Sequence, residues 1–463
     1  MMRGLLRGNL LLRCCFPLFA VLIAANWPAA SPAAETPLDR YVAQPDESFR
    51  WSLAAKEETP RGTVYIVDMT SQTWRAEGEV DRTQWQHWLV VGKPPGALPG
   101  KAVLFIGGGS NSHEPPRGLS PELVALAEET GAVVAELRTV PNQPLVFHND
   151  GVQRYEDDLL AYGWTQFLET DDPTWIPQLA MAKSAVRAMD TLEELLAAEG
   201  HPVEDFIVSG ASKRGWTTWL TAAVDDRVEA IVPIVIDLLN LGPSMEHHHA
   251  AYGFWAPAIG DYERHGLMQY LHEPEFEAIR KIVDPYKYRD RYTLPKFIVN
   301  ATGDQFFLPD SSQFYFHDLP GERLLRYVPN TDHGLGGSDA LTSIVAFCRA
   351  VFSGTPRPRY AWEYDGRGTL RVTTEDQPVE VRLWQGTATD ARDFRLQTIG
   401  PVFTSRPLEA DGDGQYVARL ETPPEGWTAF LVGLAFDVGG PAPLKLTTSV
   451  YVVPDVLPYG DSE

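Results

Sequence analysis

The chain of 463 residues is short of cysteine, with 3, and of basic charge, with 39 Lys and Arg against 62 Asp and Glu. The resulting net charge of −23 excludes a nucleic-acid binder, which needs a basic stripe to displace counterions from phosphates. Cys14 and Cys15 lie in the first 34 residues, so a chain cleaved after them keeps only Cys348 and has no internal disulfide. Cys348 sits in an apolar helical stretch (343–352) and reads as a small buried hydrophobe. Long apolar runs are also missing. The run over 14–25 is about 12 residues, well under the roughly 20 that cross a bilayer. No repeat or low-complexity tract is present, no Lys-Ser/Thr follows a glycine-rich loop, and no dinucleotide fingerprint occurs, so no cofactor is expected. What remains, 44% hydrophobic and 22% charged, is the composition of a folded globular protein.

Residues 1–34 have the layout of a secretory signal peptide: Arg3, Arg7 and Arg13, then the short apolar run, then small residues and prolines up to Ala34. The alternative is an uncleaved N-terminal anchor. Cleavage near Ala34 removes three arginines and no acid, taking the charge from −23 to −26. A periplasmic or secreted location follows, with no membrane span left after cleavage. A surface this acidic steers cationic partners, so a small-molecule or peptide substrate, cationic by preference, is expected.

From residue 62 to about 352, apolar strand-like runs alternate with helical patterns. The runs cover 63–69, 87–91, 102–106, 132–137, 205–209, 230–236, 296–301 and 323–328, with helical periodicity at 121–130 and 177–199. That alternation implies an α/β fold with a mostly parallel sheet covered on both faces. The stretch 238–291 is too long for a simple crossover and reads as a cap insertion; 140–175 is a second cap wall. After Pro356 and Pro358, short alternating runs separated by turns indicate a C-terminal β-sandwich (356–463). The domain plan is therefore leader 1–34, α/β domain 35–355 and sandwich 356–463, with a linker that predicts a separable core ending near Thr355.

The chemistry concentrates at strand ends. In Phe206-Ile-Val-Ser-Gly210-Ala-Ser212-Lys-Arg-Gly215-Trp a buried strand runs into a Gly-x-Ser turn and then a helix, the nucleophile-elbow pattern. Arg214 stands where the second glycine is usual, and Gly215 follows one later. A serine needs a base and the base an orienting acid, in the chain order Ser, acid, His. Asp304 and His333 each follow a strand-like run directly, which makes them the acid and the base. Asp237, also at a strand end, is the alternative acid. Gly107-Gly108-Gly109 after the 102–106 run is the oxyanion loop, with the backbone N–H of Lys213 as the second donor. Candidates to face a substrate are Arg138, Arg214, His248 and Trp255. His247-His-His249 invites a metal reading, but adjacent helical histidines splay about 100° apart, so no metal is expected. Tyr155-Glu-Asp-Asp158 reads as the acidic start of a helix.

With these residues placed, the chain resembles the PhoPQ-activated pathogenicity-related protein family of secreted α/β-hydrolase-like proteins over about 40–450. The resemblance rests on Thr73-Trp-Arg, Trp85-x-His87-Trp88, Phe105-Ile-Gly-Gly-Gly-Ser-Asn111, Leu137-Arg-Thr-Val-Pro-Asn-Gln-Pro144, Gly210-Ala-Ser-Lys-Arg-Gly-Trp-Thr217, Asn300-Ala-Thr-Gly-Asp-Gln-Phe306 and Pro329-Asn-Thr-Asp-His333. It implies the α/β-hydrolase fold, places Ser212, Asp304 and His333 at the triad positions, and implies a link to resistance against cationic antimicrobial peptides and, in a eukaryotic relative, to secreted growth repression. The expectation is a serine hydrolase cleaving an ester or amide bond, peptides included, through an acyl-enzyme. The alternatives are a non-catalytic binding or signalling protein on the same scaffold and a carbohydrate esterase.

Overall fold

A computed structural model of the chain describes residues 35–111, 114–411 and 414–460. The leader assigned to 1–34, with Cys14 and Cys15, lies outside the described residues.

A nine-stranded sheet is built from β1 (Arg50–Thr59), β2 (Gly62–Thr73), β3 (Gln84–Lys93), β4 (Gly100–Ile106), β5 (Val133–Leu137), β6 (Val203–Ala211), β7 (Val228–Ile234), β8 (Lys296–Ala301) and β9 (Arg323–Val328). The strand order is β1-β2-β3-β5-β4-β6-β7-β8-β9. β1, β2, β3 and β5 pair antiparallel in turn, and β5-β4-β6-β7-β8-β9 runs parallel. This is the α/β-hydrolase sheet with one extra antiparallel strand at its edge. The central strands are apolar on both faces because helices cover both faces, and β8 is buried along its whole length.

Helices α1 (Pro37–Ala43), α2 (Pro121–Thr130), α3 (Glu156–Thr170), α4 (Pro177–Ala198) and α5 (Lys213–Ala222) precede the cap, and α9 (Ala340–Phe352), after β9, packs beside α2 and against β8. α2 starts where its sequence says it should. Ser120 caps the amide of Leu123, Pro121 opens the helix, and Gly131 ends it at φ 69°, a conformation a β-carbon disfavours. Between β7 and β8 the chain forms α6 (Leu241–Tyr252), α7 (Gly260–Arg264) and α8 (Pro274–Val283) with short 3₁₀ turns; these are the helical cap. No helix among the described residues is long and apolar enough to cross a membrane.

The C-terminal part is antiparallel. β10 (Tyr360–Tyr364), β11 (Thr369–Thr374), β12 (Glu380–Ala388), β13 (Thr404–Pro407), β14 (Tyr416–Arg419), β15 (Trp427–Phe436), β16 (Leu444–Thr447) and β17 (Tyr451–Val453) form two sheets. Their orders are β10-β11-β14 and β13-β12-β15-β16, with β17 on β15. The expected linker does not separate this region from the rest, since Thr36 onward forms one compact unit. Thr447 Oγ1 accepts from the Tyr327 amide at 2.9 Å, and the Ser312 and Ser449 hydroxyls meet at 2.9 Å. Arg392, with no exposed surface, reaches Asp310 at 2.6 Å. The C-terminal sheets share their interior with the hydrolase fold.

Candidate active site

Ser212 sits between β6 and α5 at φ 58°, ψ −129°, a conformation that costs a non-glycine residue free energy and persists only where neighbours impose it. They do. The Ser212 amide donates to the Ile234 carbonyl at 2.8 Å, and its carbonyl accepts from the Trp216 amide at 2.9 Å. A β-carbon on Gly210 would lie 2.6 Å from the Arg214 carbonyl oxygen. One on Gly215 would lie 2.9 Å from the Gly210 carbonyl oxygen. The elbow's second close approach therefore falls at Gly215, which leaves position 214 free to carry a side chain.

Two other strand ends supply the partners. Asp304 follows β8 and His333 follows β9, so both reach the sheet edge that holds Ser212. His333 Nδ1 donates to Asp304 Oδ2 at 2.8 Å. The other Asp304 oxygen accepts from the Phe306 amide at 2.7 Å, and the carboxylate is buried. The His333 amide donates to Gln305 Oε1 at 2.9 Å, and the ring lies 4.4 Å from that of Phe306. His333 Nε2 is buried and bonds to nothing. An imidazole whose Nδ1 proton is fixed by a carboxylate presents Nε2 as a base. The Ser212 hydroxyl is not hydrogen-bonded to it, an arrangement that commonly tightens only when substrate binds.

The glycine loop after β4 is pinned through atoms other than its Gly108 and Gly109 amides. Gly108 O accepts from the Thr139 amide at 2.9 Å, and Gly109, at φ 144°, accepts from Gln143 Nε2 at 2.9 Å. The Lys213 amide is the first of α5, where no intrahelical acceptor exists. Beneath the loop runs a charged network. Gln143 Nε2 also reaches Glu156 Oε1 at 2.6 Å, and Arg214 Nη2 reaches the same oxygen at 2.5 Å. Arg214 Nε donates to the Val140 carbonyl at 2.6 Å. Lys213 Nζ bridges Glu156 at 2.8 Å and Asp157 at 3.1 Å. Burial pushes the Glu156 carboxyl up, but the Lys213 and Arg214 charges outweigh it and hold it at about 2. Arg214→Lys keeps the charge and loses the planar fork that holds Val140 and Glu156 together. It is expected to lower kcat about 10²-fold with KM little changed, as a displaced oxyanion donor would, measured on a chromogenic ester.

Beside Ser212 a narrow cleft opens between the sheet edge and the cap. Its walls come from α3, α5, the cap helices and Phe306 and Phe307.

Residues 38–395 match the family described as PhoPQ-activated pathogenicity-related protein. The chain belongs to this family. It is 38% identical over 454 residues to autocrine proliferation repressor protein A of Dictyostelium discoideum, covering 92% of each chain. Among solved structures it is similar to acetyl xylan esterase 1 from Thermoanaerobacterium sp. JW/SL YS485, at a TM-score of 0.46 and 15% identity over 68% of this chain and 92% of that one. It is also similar to acylaminoacyl peptidase from Pyrococcus horikoshii, at a TM-score of 0.40 and 14% identity over 65% of this chain and 49% of that one.

In this family member the four residues expected to face a substrate lie elsewhere. Arg138 is spent on Glu136 at 2.8 Å and the Gly118 carbonyl at 2.9 Å. Arg214 lies behind Gly108, where its guanidinium would be 2.8 Å from a β-carbon. His248 is buried, accepts from the Ala256 amide at 3.0 Å, and is pushed by burial down to about 3. Trp255 packs on His248 and His249 and lines a different groove with His272 and Tyr459. The three adjacent histidines diverge, His247 going to Asp310 at 3.0 Å. Among the described residues no cluster of three His, Cys, Asp or Glu is placed to hold a metal.

Asp237, the alternative acid, is buried and accepts from Tyr315 at 2.6 Å and Tyr327 at 2.5 Å. The residues that sequence reasoning missed are Gln143, Glu156 and Asp157, which hold the glycine loop after β4 and the elbow. A signal existed: Lys213 and Arg214 beside a buried strand require counter-charges, and 155–158 is a conspicuous acidic run.

Proposed function

We propose that the chain is an exported serine hydrolase that cleaves an ester or amide bond through an acyl-enzyme. The observation that carries this reading is Ser212 on a strained elbow at the same sheet edge as a His333 whose Nδ1 is fixed by buried Asp304 and whose Nε2 is unpaired. His333 Nε2 takes the Ser212 proton as Oγ attacks the carbonyl carbon. The oxyanion forms against the amides of Gly108 or Gly109 and Lys213, and the imidazolium returns the proton to the leaving alcohol or amine. Water, deprotonated by the same nitrogen, then releases the acid and restores Ser212. Lys213 and Arg214 are neutralised by Glu156 and Asp157, so they do not oppose the cationic leaving groups that the acidic surface attracts. The leader-like composition of 1–34 supports export.

A fluorophosphonate probe is expected to label the full chain and not Ser212→Ala. Absence of label on the unmodified chain would favour the second reading, a binding or signalling protein on a retained hydrolase scaffold. The name of the Dictyostelium relative, a repressor rather than an enzyme, is what supports that reading. A faster turnover of basic than of matched acidic esters, fading with added salt, is the expected signature of steering; the reverse order would remove cationic preference from the proposal.

A further inference from the structure

The polar atoms in the wall of the Ser212 cleft are already taken. Asp157 is held by Lys213 Nζ at 3.1 Å and by the Tyr262 hydroxyl at 3.1 Å, which is itself thereby satisfied. The Trp164 indole N–H donates to Gln178 at 3.2 Å, and that of Trp216 to the Val283 carbonyl. Trp164 stands edge-on to Trp216 at 5.9 Å and to Phe276 at 6.4 Å. The cap closes the space with Leu241, Met245, Leu267 and Met268, all hydrocarbon or thioether. A sugar or a charged side chain entering here would give up its water for at most the spare lone pairs of Asp157, a loss that one such contact does not recover. An apolar chain would gain on every methylene. The two methionines add adaptability, since an unbranched thioether can rearrange around chains of different length.

From this we infer that the cleft is the acyl-side pocket and that the group it takes is apolar: a medium-length alkanoyl chain or a comparably large apolar residue, rather than acetyl, a sugar or a basic side chain. The inference deepens the hydrolase reading and, for its turnover arm, rests on it. Cationic character, if the substrate has it, then belongs to the leaving group outside the cleft.

The test uses p-nitrophenyl esters from acetyl to dodecanoyl on the full chain, beside Met245→Trp and Met268→Trp. kcat/KM should climb about fourfold per added methylene until the cleft is filled. The octanoyl-to-acetyl ratio should fall about tenfold or more in either tryptophan variant, since added bulk in a packed cavity excludes the chain. A second arm measures octanoate binding to Ser212→Ala by calorimetry, where saturable binding weakened by Met245→Trp is expected. Serine-dependent turnover that is flat or falls with chain length would overturn the apolar-acyl inference while the hydrolase reading stands. No turnover and no fluorophosphonate label, with octanoate still bound and displaced by Met245→Trp, would sink the hydrolase reading and keep the apolar site. Failure to bind octanoate together with no chain-length preference overturns the inference outright.

Discussion

Asp304→Asn is expected to lower kcat on a chromogenic acyl ester about 10⁴-fold, the cost known for an asparagine that forces the wrong imidazole tautomer, while Asp237→Asn stays close to wild type. The reason is geometric. Asp304 holds His333 Nδ1 at 2.8 Å, whereas both Asp237 oxygens are engaged by the hydroxyls of Tyr315 and Tyr327. A dead Asp237→Asn enzyme with an active Asp304→Asn enzyme would reverse the assignment. The same pair separates stability from catalysis. Burial pushes the Asp237 carboxyl up to about 7, against the two tyrosine hydrogen bonds that pull it down, with the nearby Asp304 charge raising it further. A carboxyl raised above its unfolded value of about 3.9 binds more protons folded than unfolded, so its contribution to stability is largest at low pH and declines as pH rises through the window from about 4 to 7. Asp237→Asn should flatten that decline in thermal melts taken across the window. A slope unchanged by the substitution would show that Asp237 is ionised throughout.

Arg392→Met is expected to destabilise the whole molecule by about 3–5 kcal/mol, because it leaves Asp310 buried with half its charge partners gone. Burial pushes the Asp310 carboxyl up, and the charges of Arg392 and His247 more than reverse this, holding it well below the usual carboxylate range. The arginine comes from the loop between β12 and β13, and that loop continues into the site's support. The Leu396 amide donates to the Gly303 carbonyl at 3.0 Å, next to Asp304. Asn330, three residues before His333, exchanges two hydrogen bonds of 2.8 Å with the backbone of Phe403. A chain ending at Thr355 would strip these contacts and expose the β9 surface that β16 covers. It is therefore expected to aggregate rather than fold, and fluorophosphonate labelling of the soluble fraction checks this. A soluble, labelled truncated chain would show that the C-terminal sheets are an independent appendage.

Much of this architecture was legible in one dimension. Strands of a parallel sheet are covered on both faces, so β4 to β9 stand out as apolar runs, as do the buried antiparallel strands β2 and β3, and helices between the parallel strands announce the crossovers. The elbow was readable because a glycine two residues before a serine, between a buried strand and a helix, answers a close approach that only a missing β-carbon allows. β1 was not legible. As an edge strand with both faces largely exposed, Arg50–Thr59 has no reason to alternate apolar and polar residues, and it reads as Arg-Trp-Ser-Leu-Ala-Ala-Lys-Glu-Glu-Thr. β10 and β13, short edge strands that are largely exposed, carry as little pattern for the same reason.

Periodicity reports which face of an element is buried, but not which distant residue a charged side chain will meet. Arg138, Arg214 and His248 carry the residue types that bind substrates, and each is consumed by a partner inside the protein. The choice between Asp237 and Asp304 needed the positions of two tyrosines from beyond the cap, 78 and 90 residues away in sequence. The proline-marked boundary at 356–358 was a real change of texture, but whether it separates two bodies depends on Arg392 meeting Asp310 across 82 residues. The sequence alone determined the sheet, the elbow and the strand ends that carry Ser212, Asp304 and His333. The tertiary structure decided which polar groups are free to act, because a charge buried on folding must be paired, and its partner is set by packing between segments that no local pattern connects.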